Sequence, residues 1–463
     1  MAINFYDIAY GFGVGVSAPV WVVRSKTRQK VLDAFKQRMG RDALTGRVAE
    51  GPTIILHAVS VGELNAARGL IDGLRHKHPD LHVVISTTTQ TGHERAEALY
   101  GNRADITLIY YPLDFSAAVS RVLDTFKPLA VILMELELWP NFIVACERRG
   151  IPVILANGRI TGGSYTNFRI GAWLTRRMFR RLAAVCAQEE VYAERFLTLG
   201  ADPLTTSVTG TMKFDTASTT VDPIAADALA AEIGLRHPLW VAGSTGPGEE
   251  EIVLQAYGAL RGEFPGLQLA IVPRKPDRFD EVAALIERSG YTCVRRSMTV
   301  AAGVNPREDG SGASDASSDS GSGSRGFTPA ATTASPSAVI LGDTMGELRT
   351  FYTRADVVFV GRTLVDLGEK QHGSDMIEPC ALGRPTVVGP FTQNFAEPMN
   401  ALRLADGIVE IKTPAELTEA IAKLLRHPGD IGLRGRQVVQ RQRGATERTI
   451  AVIEPILKAR LTA

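Results

Sequence analysis

Short apolar runs that recur with helical stretches between them constrain this chain more than any other feature. They lie at 53–58 (TIILHA), 82–86 (HVVIS), 106–110 (ITLIY), 129–134 (LAVILM), 152–156 (PVILA), 183–187 (AAVCA) and 206–210. Segments with helical period separate most of them, for example Leu64 to Leu74. Strands that are apolar throughout, rather than at every second residue, are buried on both faces, as in parallel sheets covered by helices. A second series follows at 238–242, 267–272, 338–341, 356–360, 385–388 and 408–411. The chain therefore reads as an α/β protein with two Rossmann-like, doubly wound domains facing across a cleft. In such sheets ligands gather beyond the carboxyl ends of the strands. The stretch DTASTTVDPIAADALA (215–230) breaks the rhythm. It sets a linker at 216–232, between an N-terminal domain at 48–215 and a C-terminal domain at 233–463.

Two segments fall outside both sheets. Residues 303–337 are dominated by Ser, Gly, Ala and Asp, with almost no large apolar side chains. Such a composition buries too little surface to order itself, so a mobile surface insertion is expected. At the other end, Ile8–Val23 is uncharged, and Arg24, Lys26, Arg28, Lys30, Lys36, Arg38, Arg41 and Arg47 follow it. As a helix this stretch reaches ~24 Å, short of the ~30 Å hydrocarbon core. Gly11, Gly13, Ser17 and Pro19 weaken it further. No basic region precedes it, which argues against a secretory signal. An apolar stretch followed by bases predicts a short anchor over 1–47, its bases on anionic headgroups and its positive flank in the cytoplasm. A buried first helix followed by a solvated one is the alternative.

Charge separates along the chain. The total is +1, from 51 bases and 50 acids. Residues 1–47 hold eight bases and three acids, or +5, which leaves −4 for the remainder. That balance argues against a general nucleic-acid binder. The four cysteines are scattered with no CxxC pair. Neither a disulfide framework nor a zinc cluster follows from them, and a reducing compartment does.

Chemistry-bearing residues cluster where strands end. After the first strand, His57-Ala-Val-Ser60-Val-Gly62-Glu63 places a carboxylate at the start of a helix. Glu63 suits either a helix-dipole acid or a general base positioned by Gly62. After the fourth strand come Glu135 and Glu137. They share one side if the strand continues, and suit a ligand-binding edge or an ordinary loop ion pair. In the second series, Gly243-Ser244-Thr245-Gly246-Pro247-Gly248 followed by three glutamates reads as a phosphate-binding helix start or as plain capping. Arg274 offers a fork for a phosphate, or belongs to a solvated turn. The Met345-Gly346 turn exposes backbone groups that suit a flat base edge. Glu378 opens a helix and can accept from ribose hydroxyls. Arg169, Arg176, Arg177, Arg180 and Arg181 have no acid between them, and Trp173 and Phe179 are interleaved. Several of these arginines share one helix face, which suits acidic headgroups or a phosphorylated lipid better than nucleic acid.

Taken together, HAVSVGE (57–63), STTTQTG (86–92), YPLD (111–114), ELELWPN (135–141), KFD (213–215), GST…GEE (243–250), VPRKPDRF (272–279), DTMGEL (343–348), EPCALGRP (378–385) and GPFTQNF (389–395) occur in one order along nearly the whole chain. This set resembles the 3-deoxy-D-manno-octulosonic acid (Kdo) transferases of lipopolysaccharide synthesis. The resemblance implies a GT-B fold. It implies transfer of Kdo from CMP-Kdo to a lipid A precursor, lipid IVA, with inversion and with neither cofactor nor metal. It makes Glu63 the general base and sets Glu135 and Glu137 near the acceptor, whose phosphates match the arginine face of Arg176, Arg177 and Arg180. It puts Lys213, Ser244 and Arg274 near the donor phosphate or carboxylate. Met345, Gly346 and Glu347 would frame the cytosine, Glu378 would hold the ribose, and Asn394 would lie in the donor region. The chain departs from the family pattern at Gly246 and Lys275, where histidine is usual, at Asn157-Gly158-Arg159, and across 361–375. A GT-B enzyme using a UDP-sugar and a non-catalytic lipid A binding protein are the competing readings.

Overall fold

The computed structural model describes residues 4, 6–8, 10–12, 38–39, 51–217, 222–303, 338–368 and 372–462. Most of the expected anchor and basic run, and the serine- and glycine-rich stretch from 304 to 337, lie outside the described residues. The chain forms two units: Met1–Thr216 with Gln442–Ala463, and Ala217–Arg441.

The first unit holds β1 (Thr53–His57), β2 (His82–Thr87), β3 (Ile106–Tyr110), β4 (Ala130–Met134), β5 (Val153–Gly158), β6 (Leu182–Ala187) and β7 (Thr206–Val208). Their order is β3-β2-β1-β4-β5-β6-β7, all parallel. Chain order reverses between β1 and β4, so the turns after these two strands flank the switch point where ligands bind. Alternation along the strands supplies two cores. Ile55, Val84, Val131, Leu133 and Leu155 face one helix layer. Ile54, Leu56, Val83, Ile85 and Ile132 face the other, with Leu64, Leu70 and Leu74 of the helix Val61–Lys77. Each such side chain contributes about 1.5–3 kcal/mol by leaving water.

That second core also takes Ala445, Ile450, Ile453 and Leu457 from the final helix, Ala445–Leu461. The sequence placed everything from 233 to 463 in one domain. The structure instead gives the last helix to the first unit, because its apolar positions complete that unit's sheet. Asp215 pins the return: its carboxylate accepts the backbone N–H of Gly444 (2.7 Å) and Thr446 (2.6 Å).

The second unit holds β8 (Leu239–Thr245), β9 (Gln268–Pro273), β10 (Thr292–Arg295), β11 (Ala338–Leu341), β12 (Val357–Val360), β13 (Thr386–Val388) and β14 (Val409–Glu410). The order is β10-β11-β9-β8-β12-β13-β14, again parallel throughout. Here the switch point lies between β8 and β12. β10 is the strand that the sequence reading missed. It is a short edge strand with the polar pattern TCVR and no fully buried residue, so it lacks the continuous apolar signal. Residues 223–233 form a helix rather than a linker.

Among the described N-terminal residues, 6–8 and 10–12 are helical. Asp7 is buried and accepts from Ser116 N (2.8 Å) and Asn141 Nδ2 (2.9 Å). Tyr10 lies edge-on to Phe115 and Trp139. Ile8 and Phe12, four residues apart, remain exposed at 64% and 75%. Among the described residues, no helix is long and apolar enough to cross a membrane.

Candidate functional site

In the first unit the switch point carries three carboxylates. Ser60 caps the helix after β1, and its hydroxyl oxygen accepts from Glu63 N. Glu63 reciprocates: one carboxylate oxygen accepts from Val59 N (2.8 Å), the other from the Ser60 hydroxyl (2.9 Å). The arrangement is a variant of the capping box, with the backbone donor one residue before the N-cap, and it fits the reading of Glu63 as a first-turn acid. The same geometry fixes the carboxylate in one orientation. A side chain on Gly62 would meet only Ser60 Oγ, at 3.9 Å. Glu63 is therefore positioned by Ser60 and Val59 rather than by Gly62, which leaves the approach open.

The strand β4 stops at Met134, and Glu135 turns away with φ +59° while its N–H bonds Ala156 O (2.9 Å). The expectation that strand alternation puts Glu135 and Glu137 on one side thus fails. A turn brings them close enough to interact instead. Glu137 accepts from Trp139 Nε1 (3.1 Å), and burial, opposed by that bond and aided by Glu135, raises its pKa. Burial is also the largest influence on Glu63. With Glu135 second, and against the two hydrogen bonds, it pushes Glu63 up to about 7, with Glu137 adding in the same direction. A carboxylate in that state exchanges a proton near neutral pH.

Neighbouring motif residues hold this edge together. His57 is buried, stacks on Tyr111 at 4.0 Å and bonds Ser86 O through Nδ1 at 2.9 Å. Burial drives its pKa down to about 3, so the imidazole is neutral. Asp114 accepts from Asn141 N (3.0 Å) and Phe142 N (2.9 Å), capping the helix Pro140–Arg148. Sequence reasoning gave these residues no role. The signal was a buried polar residue inside each apolar motif. Arg176, Arg177 and Arg180 lie exposed at the helix Ala172–Phe179, near exposed Ile170 and Trp173. No hydrogen bond or ion pair joins them to the three acids among the described residues. Lys213 opens the short helix Lys213–Thr216, also in the first unit.

In the second unit, Ser244 lies near the end of β8, Arg274, Met345, Gly346 and Glu347 follow strand ends of the same sheet, and Glu378 opens a helix before β13. Ser244 takes φ +56°. Gly346 has φ +88° with nothing within 4 Å of where a Cβ would stand, and Met345 is exposed. Glu347 is held by Arg296 (2.9 and 3.0 Å) and by the Thr344 hydroxyl. Arg296 and Thr344, with burial opposing, keep its pKa low. Burial and then Asp375 push Glu378 up to about 7, against Arg349. Asn394 donates to His372 O (2.6 Å) and so braces a loop.

Two of the three first-turn glutamates are neither free nor merely capping. Glu250 is buried and forks with Arg278 (2.6 and 3.2 Å), which removes Arg278 from any ligand role. Glu249 is buried and accepts four backbone N–H groups: Gly246 (2.9 Å), Arg362 (2.5 Å), Thr363 (3.0 Å) and Leu364 (2.9 Å). The Gly246 N–H is thereby withdrawn from the phosphate cradle that the sequence suggested. At the amino end of the same sheet is a cavity of about 430 Å³, lined by Pro238, Asp356, Arg384 and Pro428 among others. It holds no acid–base pair, and Arg384 there is bound to Ala355 O.

The family model described as 3-Deoxy-D-manno-octulosonic-acid transferase (kdotransferase) matches residues 33–216. The 3-deoxy-D-manno-octulosonic acid transferase of Haemophilus influenzae is 32% identical over 410 residues, 88% of this chain and 87% of the relative. That of Bordetella pertussis is 31% identical over 429 residues, 90% of each chain. Among solved structures, UDP-GlcNAc 2-epimerase from Neisseria meningitidis superposes with a TM-score of 0.54 at 14% identity, over 88% of this chain and all of that one. A glycosyltransferase from Rickettsia africae gives 0.53 at 11%, over 89% and 100%. These two likenesses concern the fold alone, which is GT-B. With two relatives above 30% identity along nearly their full length, the chain belongs to the 3-deoxy-D-manno-octulosonic acid transferase family of glycosyltransferases.

Proposed function

We propose that the chain transfers Kdo from CMP-Kdo to a lipid A precursor, lipid IVA, with inversion at the anomeric carbon. Glu63 is the general base. The acceptor hydroxyl oxygen forms the new bond to the anomeric carbon, its proton passes to Glu63, and the carbon–oxygen bond to phosphate breaks as CMP leaves. The observation that carries this reading is a half-buried carboxylate at the switch point, fixed by Val59 and Ser60 and pushed up to about 7. A base with that pKa is matched to neutral operation. Glu135 and Glu137 line the acceptor side. Arg274 and Ser244 meet the donor, and Glu378 takes the ribose. Charge on departing CMP is modest and is stabilised by fixed cations and N–H groups.

The acceptor is phosphorylated and lipid-borne. Exposed Arg176, Arg177 and Arg180 suit its phosphates, and exposed Ile8, Phe12, Ile170 and Trp173 suit a bilayer surface. These features support a place on the cytoplasmic face of the inner membrane. The test is mass spectrometry of the lipid after incubation with CMP-Kdo and lipid IVA, with UDP-GlcNAc as the control donor. A product heavier by one or more Kdo units is expected. An unaltered lipid with CMP-Kdo, or glycosylation from UDP-GlcNAc, would overturn the reading.

A further inference from the structure

Two loops of the second unit meet at its switch point, one after β8 and one after β12. The carboxylate of Glu249 ties them, accepting Gly246 N–H from the first and the N–H groups of Arg362, Thr363 and Leu364 from the second. Gly361 has no room for a side chain, since a Cβ there would lie 2.7 Å from Ser244 O. Arg362 then takes φ +58°, a left-handed backbone that favours glycine. A strained residue held in place by surrounding bonds is a pointer to function.

The side chain of Arg362 runs over Gly246, so closely that a Cβ at 246 would stand 3.0 Å from Arg362 Cγ. The guanidinium is half-buried. Burial first, and facing Arg274 second, hold its pKa below the ordinary arginine value, with Glu249 opposing. Arg274 comes from the end of β9 and is anchored by its N–H to Thr245 O (3.1 Å). Among the described residues, neither guanidinium has a carboxylate or any other hydrogen-bonding partner. Glu249 is the buried acid beside them, and it accepts from four backbone N–H groups. Two guanidinium groups close enough to interact, as Arg362 and Arg274 are, repel each other unless an anion lies between them.

We propose that Arg362 is a phosphate-binding residue of the donor site, working with Arg274 and positioned by Glu249. Its ligand is the single phosphate of a nucleoside monophosphate sugar, so the assignment rests on the donor reading above. Arg362 thus serves the site from a segment where the chain departs from its family's usual pattern, and the small residue at 246 makes space for it.

The test is calorimetric titration of the full chain with CMP, cytidine and UMP. Arg362→Gly is the informative variant, because it keeps the backbone N–H to Glu249 and suits φ +58°. In the wild type, CMP binds more tightly than cytidine. In the variant, CMP affinity falls tenfold or more while cytidine affinity stays within twofold, and Arg362→Lys recovers part of the loss. A merely structural role would move both ligands together. If CMP weakens no more than cytidine, or if the wild type does not distinguish the two, the proposal is overturned. If UMP binds in place of CMP with the same dependence on Arg362, the phosphate contact stands and the cytidine donor falls.

Discussion

Replacing Glu63 by Gln separates chemistry from stability in one substitution. The carboxyl pKa is pushed up from 4.5 to about 7 in the folded protein. At about 1.4 kcal/mol per unit, holding Glu63 ionised costs the fold about 3 kcal/mol. The sign follows from linkage. Below pH 4.5 both folded and unfolded states are protonated and there is no penalty. Between 4.5 and 7 the folded state holds a proton that the unfolded chain has lost, so stability falls as pH rises. Above 7 the penalty is complete. Glutamine removes the charge but can accept from only one of Val59 N–H and Ser60 hydroxyl at full strength, which returns about 1 kcal/mol. The net gain is about 2 kcal/mol at pH 8, or about 4–8 °C in the melting of a unit this size. That gain disappears near pH 4.5. Transfer falls by about 10²–10⁴, the usual contribution of a general base. Scanning calorimetry at pH 8 and pH 5, beside a lipid transfer assay, reads both effects. A variant that transfers Kdo like the wild type, or whose stability gain over the wild type is no larger at pH 8 than at pH 5, refutes the reasoning.

Three further outcomes follow from neighbouring contacts. Glu135→Gln removes the charge that ranks after burial in raising Glu63, so the rise of kcat/KM with pH, centred near 7 in the wild type, moves to lower pH. Arg278→Ala leaves buried Glu250 without its fork and destabilises the second unit by about 3–5 kcal/mol in urea unfolding. Asn141→Ala removes the side chain that bonds Asp7 and Asp114 O, and hydrogen exchange then shows faster opening of residues 4–12 without loss of the β1–β4 ladder.

Much of both sheets was legible because their strands are apolar on both faces, and thirteen of the fourteen strands coincide with runs such as TIILHA and LAVILM. The polar edge strand Thr292–Arg295 carries no such pattern. Strand-end turns were also legible as places where Glu63, Arg274 and Glu378 concentrate. What each acid does was not legible, because spacing does not report who bonds it. Glu63 and Glu249 both open a helix after a central strand. One sits among carboxylates and is left with a labile proton, while the other accepts three N–H groups from a loop more than a hundred residues away, besides that of Gly246. Arg362 was invisible for the same reason: its backbone angle and the space over Gly246 are properties of two loops meeting. The strand-like continuation through Glu135 failed because a left-handed residue ends β4.

The return of the final helix to the first unit has a consequence for biosynthesis. The second unit is one uninterrupted segment, Ala217–Arg441, whereas the first is split between the two ends of the chain. Synthesis proceeds from the N-terminus, so the second unit can finish folding while the ribosome still holds the last residues. Until then the first sheet lacks Ile450, Ile453 and Leu457 and shows bare apolar surface on the side of Leu64, Leu70 and Leu74. A nascent chain of this design is most exposed to aggregation late in translation, and a stop codon only twenty residues early would release a finished second unit attached to a first unit that has never closed its core.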